Sequence, residues 1–372
     1  MAQKPAERGR FTVKSLGNPN VLSLNGKSYG GPNPPLIVAE LSGNHQQSLD
    51  TALALVDAAA DCGVDAIKLQ TYTADTMTLD VEGPGFRIED DDSLWKGESL
   101  HALYDKAHTP WEWHQAVFQR AADRGMLAFS SPFDASAVEF LESLDVPCYK
   151  IASFEMTDLP LVRRVAETGK PMIVSTGMAS EAEIAEMLGV IASVKAQPPV
   201  LLKCTSTYPS TAENANLRTM PDMHQRFGVP VGLSDHSLGI GVAVAATALG
   251  ACVIEKHFVL SRDSDAVDAA FSMEPAEMRL LVEECHRAYA ALGQVHYGGA
   301  AAEQASFKFR RSIYVARDIL EGEILTEDCL KVIRPGYGLP PREWDRVLGR
   351  RAACNLQRGT PLDWIHVADN EQ

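Results

Sequence analysis

Short apolar segments alternate with amphipathic segments through most of the chain. The runs PLIVAE (35–40) and VDAIKLQ (64–70) have the length and apolar character of strands that are buried on both faces. Between them, apolar residues recur at helical spacing from Leu49 to Ala60, and Gly63 is expected to end this helix. The pattern predicts a strand, a helix and a second strand, which is the repeating unit of a parallel α/β fold.

The same alternation continues to residue 293. Capping boxes at Thr109–Glu112 and Ser180–Glu183 predict two helix starts, and a further helix is predicted over 275–292. Six more strands are predicted, at 126–130, 148–153, 171–176, 200–205, 229–234 and 252–257, with a long connection at 71–108. Eight strands that alternate with helices over about 260 residues predict a (β/α)₈ barrel. A doubly wound sheet is the alternative, but the glycine-rich dinucleotide fingerprint is missing after the first strand.

The two ends of the chain differ from this central part. Residues 1–33 predict a tail followed by a hairpin, since positions 11–33 are rich in Gly, Asn and Pro. The barrel is expected over 34–293, and the small, polar residues 294–306 predict a linker. Residues 307–372 contain short apolar runs separated by turn signals, and they predict a small, mostly β domain.

Charge and cysteine content exclude several classes of protein. The formal net charge of −15 over 372 residues disfavours binding to nucleic acid or to anionic lipid. Seven scattered cysteines without CxxC pairs argue against a disulfide framework or a structural zinc site. There is no run of 18 apolar residues and no hydrophobic signal segment at the start, so a cytoplasmic enzyme is expected. The acidic run Glu89–Asp92 predicts a solvated loop.

Polar side chains stand where nearly every predicted barrel strand ends, which is where such barrels carry their active sites. Any one of them could be an ordinary loop residue. Lys68 and Lys150, however, lie within apolar strands, where a lysine is rarely left unpaired. Together with serines at neighbouring strand ends, they predict a ring of donors that suits a phosphate and a carboxylate.

Two apolar runs end on a histidine, in the segments GLSDHSLG (232–239) and CVIEKHF (252–258). His236 and His257 would therefore end adjacent strands and could face one site. Two imidazoles, completed by water and substrate oxygens, suit Mn²⁺ or another first-row divalent ion. The alternative is a pair of hydrogen-bonded histidines at the barrel rim. His45 lies just past a strand end, and its place in SGNHQQS favours a role in the loop over metal ligation.

These segments resemble the sialic acid synthase family. The motifs that carry the resemblance are VAELSGNH, YKIASFE, STGM, GLSDHS and EKHF in the predicted barrel, and RPGYG and GRRAACNL in the C-terminal part, which resemble the antifreeze-protein-like SAF domain of that family. The likeness runs in unbroken order over residues 34–367. Within the family, ELSGNH, QTYTADTMTLD and SLWKGESLHALYDKAHTPWEWH are most like the pseudaminic acid synthase branch.

The resemblance implies a reaction and a metal. Members of this family condense phosphoenolpyruvate with an open-chain acetamido sugar, in the presence of a divalent metal, and release phosphate by C–O cleavage. In the pseudaminate branch the sugar is 2,4-diacetamido-2,4,6-trideoxy-L-altrose. The metal expected from the resemblance is Mn²⁺, with Mg²⁺ or Co²⁺ as alternatives. A domain-swapped homodimer is also implied, in which Arg334 reaches into the barrel of the partner subunit.

The resemblance also assigns roles to individual residues. Phosphoenolpyruvate would be held by Lys68, Lys150, Ser153, Ser175 and Ser234, and the metal by His236 and His257. The sugar would be contacted by Gln70, Ser131, Ser206, Tyr208, Asp268 and Arg334. Glu40 and Glu155 would serve the reacting centre, where one of them would accept the proton of the attacking water.

Three alternatives remain open from the sequence. Neuraminate or legionaminate could be the product of the same family reaction, although Ser206 replaces a larger amide residue of the neuraminate enzymes and argues against neuraminate. A Schiff-base aldolase on the same barrel would use Lys150 or Lys203 as its nucleophile. A non-catalytic sugar-binding protein would be expected to have lost site residues, whereas both lysines and both histidines of the predicted site are present.

Overall fold

A computed structural model describes residues 20–83, 85–89 and 95–369. The chain divides into two compact units, residues 1–293 and 294–372. Residues 1–19 of the predicted tail and Asp90–Asp92 of the acidic run lie outside the described residues. The finer boundaries expected from the sequence, at positions 34 and 307, stay predictions.

The first unit is a closed parallel barrel of eight strands, which confirms the predicted fold class. A two-stranded antiparallel hairpin precedes it, formed by β1 (Leu22–Leu24) and β2 (Lys27–Tyr29). The barrel strands follow in chain order around the closed sheet, so that β10 pairs with β3. They are β3 (Leu36–Glu40), β4 (Ala66–Thr71), β5 (Leu127–Pro132), β6 (Tyr149–Ile151), β7 (Met172–Ser175), β8 (Val200–Cys204), β9 (Val231–Asp235) and β10 (Val253–His257).

Helices lie between the strands and at the end of the barrel unit. They are α1 (Leu49–Cys62), α2 (Ala74–Met77), α3 (Leu100–Ala107), α4 (His114–Asp123), α5 (Ala135–Ser143), α6 (Leu159–Ala166), α7 (Glu181–Ser193), α8 (Thr219–Phe227), α9 (Gly241–Ala248) and α10 (Pro275–Leu292). The capping box at the start of α7 is confirmed, with Ser180 and Glu183 each accepting a hydrogen bond from the backbone of the other. The helix predicted over 275–292 is also confirmed.

One prediction beside the long connection was wrong. Thr109 and Glu112 do not cap a helix: Trp111–Trp113 form a 3₁₀ turn without a side-chain cap, and α4 begins after it. Thr109 is buried and its hydroxyl bonds to the ring of His45 at 3.2 Å, so a tertiary contact takes the place of the cap. The connection itself contains α2 and α3, whose N-termini are capped by side chains of their own.

Alternation along the strands separates two apolar layers. Ile37, Ile67 and Val174 pack in the layer that contains the helices. Their neighbours Leu36, Val38, Ala66, Phe129, Ile173 and Leu202 belong to a second cluster, together with Leu22, Leu24 and Tyr29 of the hairpin. Because side chains alternate with a period of two, this second set fixes the inward-facing positions of each strand. Glu40 and Lys68 continue these inward series toward the carboxyl ends.

The second unit has a core of its own. A 3₁₀ segment at Ala301–Phe309 leads into β11 (Ser312–Val315), which pairs antiparallel with β12 (Leu330–Ile333). Isolated bridges and the short helix α11 (Trp344–Val347) complete it. The buried residues include Ile313, Leu325, Leu330, Val347 and Leu362. Among the helices in the described ranges, none has both the length and the apolar character needed to cross a membrane.

Candidate active site

Lys68 and Lys150 lie inside the barrel and are nearly fully buried. Lys68 forms an ion pair with Glu40 and donates a weak 3.5 Å hydrogen bond to Ser131. Lys150 donates to the hydroxyl of Ser175 at 2.7 Å. The two strand lysines predicted from the sequence are therefore both paired, as burial of an ammonium group requires.

Glu255 joins the two lysines, and the sequence interpretation did not assign it to the site. Its Oε1 lies 3.4 Å from Nζ of Lys150 and 3.8 Å from Nζ of Lys68, and it accepts a 3.1 Å hydrogen bond from Ser234. A signal was available: Glu255 precedes His257 by two residues on one strand, so both side chains share the inward face.

The charged groups of this cluster shift one another's pKa values. Burial lowers the pKa of Lys68, but the charges of Glu255 and Glu40 outweigh that effect and hold its pKa above the usual value. Burial would raise the pKa of Glu255, but the charges of Lys150 and Lys68 hold it below the usual range. Burial raises the pKa of Glu40 and lowers that of Lys150, in each case against the opposing effect of the ion partners.

His236 and His257 lie side by side, with ring centroids 5.2 Å apart. His236 Nδ1 donates to the carbonyl of Thr205 at 2.9 Å, and this leaves Nε2 as the nitrogen whose lone pair is available in the neutral ring. Burial, with the neighbouring His236 and lysine charges, holds the pKa of His257 well below its usual value, so this ring is neutral. Asp268 Oδ2 lies 3.7 Å from His257 Nδ1.

The two rings fit a divalent ion that is bound by few protein ligands. Neutral imidazole is the form that ligates metals. Burial lowers the pKa of His236, but Cys204 and the carbonyl of Thr205 outweigh that effect and raise it, so metal binding there would displace a ring proton. No group of three or more His, Cys, Asp or Glu side chains suited to a metal occurs within residues 20–83, 85–89 and 95–369. An ion bound by His236 and His257 would therefore take its remaining ligands from water or substrate.

The loops after β6, β7 and β8 meet at Gly177. Its amide donates to Ser153 at 3.1 Å, and a Cβ at this position would lie 2.2 Å from Oγ of Ser206 and 2.7 Å from Oγ of Ser153. A side chain at this position would push both serine hydroxyls aside, so glycine allows Ser153 and Ser206 to converge here.

Gln70 and Asp268 occupy the opposite side, at the β3 loop. Gln70 donates through Nε2 to Glu40 and to Ser42, both at 3.0 Å. Burial raises the pKa of the Asp268 carboxyl, partly offset by hydrogen bonds from Ser42 and the backbone of Gly43. Glu155 is half-buried, and desolvation raises its pKa to about 7. The ring of Tyr208 packs against His236 with centroids 4.4 Å apart.

Unsatisfied polar atoms concentrate in this region. Across the part of the chain that the structure describes, six buried side-chain nitrogen or oxygen atoms lack a hydrogen-bond partner. Five belong to predicted site residues or to Glu255: Glu40 Oε2, which Lys68 meets only as an ion pair, Glu155 Oε2, Ser206 Oγ, Glu255 Oε2 and His257 Nδ1. Buried polar atoms are normally paired, so a cluster of exceptions marks a place where ligand groups can complete the bonding.

Three further residues lie elsewhere. Arg334 is exposed in the second unit, directly after β12. Lys203 alternates with the inward Leu202, and its ammonium donates to the carbonyl of Cys204 at 2.7 Å, outside the barrel cluster. His45 uses both ring nitrogens in loop contacts, to Thr109 and to the backbone amide of Gln47, in agreement with its predicted role in the loop.

Comparison with known proteins identifies the family. Residues 55–297 match the NeuB family and residues 310–368 match the SAF domain. Pseudaminic acid synthase of Campylobacter jejuni is 43% identical over 329 residues, which are 88% of this chain and 94% of that protein. N,N'-diacetyllegionaminic acid synthase of Legionella pneumophila is 35% identical over 352 residues, covering 92% of this chain and 98% of that protein.

A solved structure supports the same assignment. The N-acetylneuraminic acid synthetase of Leptospira borgpetersenii, crystallised with citrate, superimposes with a TM-score of 0.68 at 31% identity, over 78% of this chain and 96% of that one. Family match, relatives and structure agree over nearly the whole length of the relatives, and they confirm the resemblance carried by the motifs. The chain belongs to the NeuB family, and its C-terminal unit contains a SAF domain.

Proposed function

We propose that this enzyme, a transferase, condenses phosphoenolpyruvate with 2,4-diacetamido-2,4,6-trideoxy-L-altrose and water to give pseudaminate and phosphate. The observation that carries the proposal is the buried cluster in which Lys68 and Lys150 share Glu255, surrounded by unpartnered polar atoms. The pseudaminate branch is favoured because the relative of that name is 43% identical, against 35% for the legionaminic acid synthase.

Phosphoenolpyruvate would bind at the two lysines. Lys150 and Ser175 present donors 2.7 Å apart. Ser234 bonds to Glu255 from the adjacent strand, and Ser153 lies in the loop after β6. The charge of this substrate is present before and throughout the reaction, so the lysines contribute chiefly to binding and orientation.

The two histidines would hold a divalent ion, with Mn²⁺ proposed and Mg²⁺ or Co²⁺ as alternatives. Such an ion supplies Lewis acidity toward the aldehyde of the open-chain sugar. The chain itself contributes two imidazoles whose donor atoms are fixed by burial and, for His236, by the carbonyl of Thr205.

Carboxylates would manage the protons. The new C–C bond joins the methylene carbon of phosphoenolpyruvate to the aldehyde carbon, and water then adds at the neighbouring carbon, which carries the phosphate. Glu155 has its pKa near neutrality and can accept the proton of that water. Collapse of the tetrahedral carbon breaks the C–O bond and releases phosphate. Glu40 is held between Lys68 and Gln70, where it would lie beside the reacting carbons.

The sugar would lie between the β3 loop and the β8 loop. Gln70, Ser131, Tyr208 and Asp268 offer hydroxyl, amide and carboxylate groups to its polar substituents. The small Ser206 beside Gly177 leaves room for an acetamido group, and the unpartnered hydroxyl of Ser206 could bond to it.

A domain-swapped homodimer would complete the site, with Arg334 supplied by the partner subunit. Large apolar side chains are exposed on the loops after three barrel strands: Phe154, Met178 and Leu238. In the second unit, Arg334 is flanked by the exposed Ile333 and Tyr337. Exposed apolar groups on both surfaces support contact between two copies of the chain.

The substrate phosphoenolpyruvate is cytoplasmic, and we place the activity there.

A phosphate-release assay tests the reaction. Phosphate should appear only when phosphoenolpyruvate and the diacetamido altrose are both present, and mass spectrometry should find a diacetamido nonulosonate. Phosphoenolpyruvate labelled with ¹⁸O in its bridging position should deliver the label to phosphate, because the C–O bond breaks. A higher kcat/KM with the legionaminate precursor would reject the pseudaminate branch. Phosphate release with none of the acetamido sugars would favour the non-catalytic sugar-binding alternative.

Lys68→Met and Lys150→Met should each raise the KM for phosphoenolpyruvate by roughly 10- to 150-fold, since a charge-assisted bond to an anion is worth about 1.5–3 kcal/mol. Lys203→Met is the matched control and should leave this KM within about twofold of the wild type, because its ammonium bonds outside the cluster. Steady-state kinetics measures the effect.

Borohydride with pyruvate should not label the enzyme; a covalent adduct on Lys150 or Lys203 would instead establish the Schiff-base alternative.

The turnover number should rise with pH through about 7, the pKa to which burial raises Glu155. The reason is that the protonated carboxyl, which prevails below this pH, cannot accept a proton. Glu155→Gln should lower kcat by roughly 10²–10⁴ and remove the inflection. The exposed Glu167→Gln serves as control and should keep the wild-type profile. Persistence of the inflection in Glu155→Gln would assign it to another group.

Arg334→Ala should raise the sugar KM or lower kcat while leaving phosphoenolpyruvate affinity unchanged, whereas the exposed Arg342→Ala should behave as wild type. Mixing Arg334→Ala with His236→Ala subunits should restore about one working site per heterodimer, because one barrel then has both histidines and a partner arginine. Activity no higher than that of the two parents, with heterodimers confirmed by native mass spectrometry, would mean that Arg334 acts within its own subunit or not at all.

A further inference from the structure

A buried ion pair lies between β9 and β10 at the base of the two histidines. Nζ of Lys256 is 2.9 Å from Oδ2 of Asp235, and the two side chains are only 1% and 3% exposed. The residues are direct partners in the parallel ladder, one step beyond Ser234 and Glu255. Because side chains alternate, this pair faces away from the barrel interior, while Glu255 on one side and the histidines on the other face inward.

The same pair holds the turn that carries His236. Lys256 also donates to the carbonyls of Ser237 at 2.6 Å and Gly239 at 3.0 Å, so all three protons of its ammonium have an acceptor. Oδ1 of Asp235 accepts from the amide of Ser237 at 2.9 Å and from its hydroxyl at 2.6 Å. Three bonds thus tie residues 235–239 to Lys256, the residue before His257, and two more brace the turn internally between Ser237 and Asp235.

Stability alone does not account for a pair of this kind. Apolar side chains of similar volume generally stabilise a buried site as well as an ion pair does, or better. What an apolar pair cannot supply is direction, since it makes no hydrogen bonds to the turn. The two rings pack against Tyr208 and Phe271 but have few hydrogen bonds of their own: His236 bonds to Thr205, and His257 Nδ1 has no hydrogen-bond partner in the described part of the chain.

We infer that the Lys256–Asp235 pair positions His236 and His257 relative to each other and so sets the affinity of the enzyme for its divalent ion. The segments SDHS and EKH then act together: each places one histidine on the inner face of the sheet and one charged side chain, Asp235 or Lys256, on the outer face. Lys256, Asp235 and Ser237 are positioning residues that touch neither the ion nor the substrates. The inference rests on the proposed metal site.

The test measures Mn²⁺ binding without substrates. The thermal midpoint is recorded in EDTA and at several Mn²⁺ concentrations, so that one experiment reports both fold stability and the Kd for Mn²⁺. Asp235→Leu combined with Lys256→Met should lower the EDTA midpoint, because the carbonyls of Ser237 and Gly239 and the amide and hydroxyl of Ser237 lose their partners. Its Kd for Mn²⁺, measured by calorimetry at a temperature where circular dichroism shows the variant folded, should weaken by about 10- to 100-fold, as is typical when the groups that orient metal ligands are removed.

A milder pair of variants protects the test against misfolding. Ser237→Ala removes one hydroxyl that bonds to Asp235, and Thr247→Val removes one equally buried hydroxyl that bonds to Ala243 within α9. Ser237→Ala should weaken Mn²⁺ binding several-fold, whereas Thr247→Val should leave it unchanged at a similar loss of stability. His236→Ala gives the reference for a lost ligand.

The outcomes separate the inference from the proposed function. If the wild type binds Mn²⁺ and loses it in His236→Ala, but Ser237→Ala matches Thr247→Val and the folded double variant keeps the wild-type Kd, then the positioning role is wrong while the metal site stands. If the wild type shows no Mn²⁺-dependent shift and no heat of binding, the metal site and this inference fall together. Proportional losses of Kd and EDTA midpoint across all variants, Thr247→Val included, would also overturn the inference, because a purely structural contribution predicts that result.

Discussion

The burial of two ammonium groups inside one barrel is the constraint on which the rest of the site depends. Lys68 and Lys150 cannot remain charged in an apolar interior unless anions accompany them, and Glu40 and Glu255 meet that requirement. The formal charges of these four groups cancel. In such an arrangement the lysines can exchange their carboxylate partners for the anionic groups of a substrate. Without carboxylates, two buried lysines would either lose their protons or destabilise the fold.

The face of the strand on which a residue lies decides its use more than its type does. Lys150 and Lys256 are both nearly fully buried strand lysines, and each is paired with a carboxylate. Lys150 faces the interior, beside Ser175 and the unpartnered oxygens, and it can meet a ligand. Lys256 faces the surrounding layer, where backbone carbonyls take the rest of its bonding capacity. Lysines on the two faces of one sheet thus differ in their partners: the inward one can contact a ligand, and the outward one holds the backbone of a turn.

The sequence predicted the fold, and it predicted that Lys68, Lys150, His236 and His257 would be inward-facing at the strand ends, because both follow from alternation. Apolar runs interrupted by helices specify a barrel, and the ends of such runs specify where polar groups meet. Glu255 was missed for a different reason: its strand shows that it faces inward, but its pairing with both lysines depends on the distances between three strands. The same holds for Thr109, whose capping signal lost to a contact with His45 that comes from a separate loop. The short helices α2 and α3 have too few residues to show a clear period. Arg334 stays a prediction, since its proposed role needs a second copy of the chain.

The ladder of β9 and β10 also affects how the barrel selects its own pairing. In the observed register, Ser234 faces Glu255 and Asp235 faces Lys256, so each polar residue meets a complementary partner. A slip of β10 by one residue would bring Ile254 to the inward place of Glu255 and would turn His257 away from His236. It would leave Lys150 and Asp235 without their ion partners and Lys68 with Glu40 alone. The polar residues of the site therefore favour the correct register of the barrel. A sheet that closes in the wrong register is destabilised by the same charges that the correct register pairs.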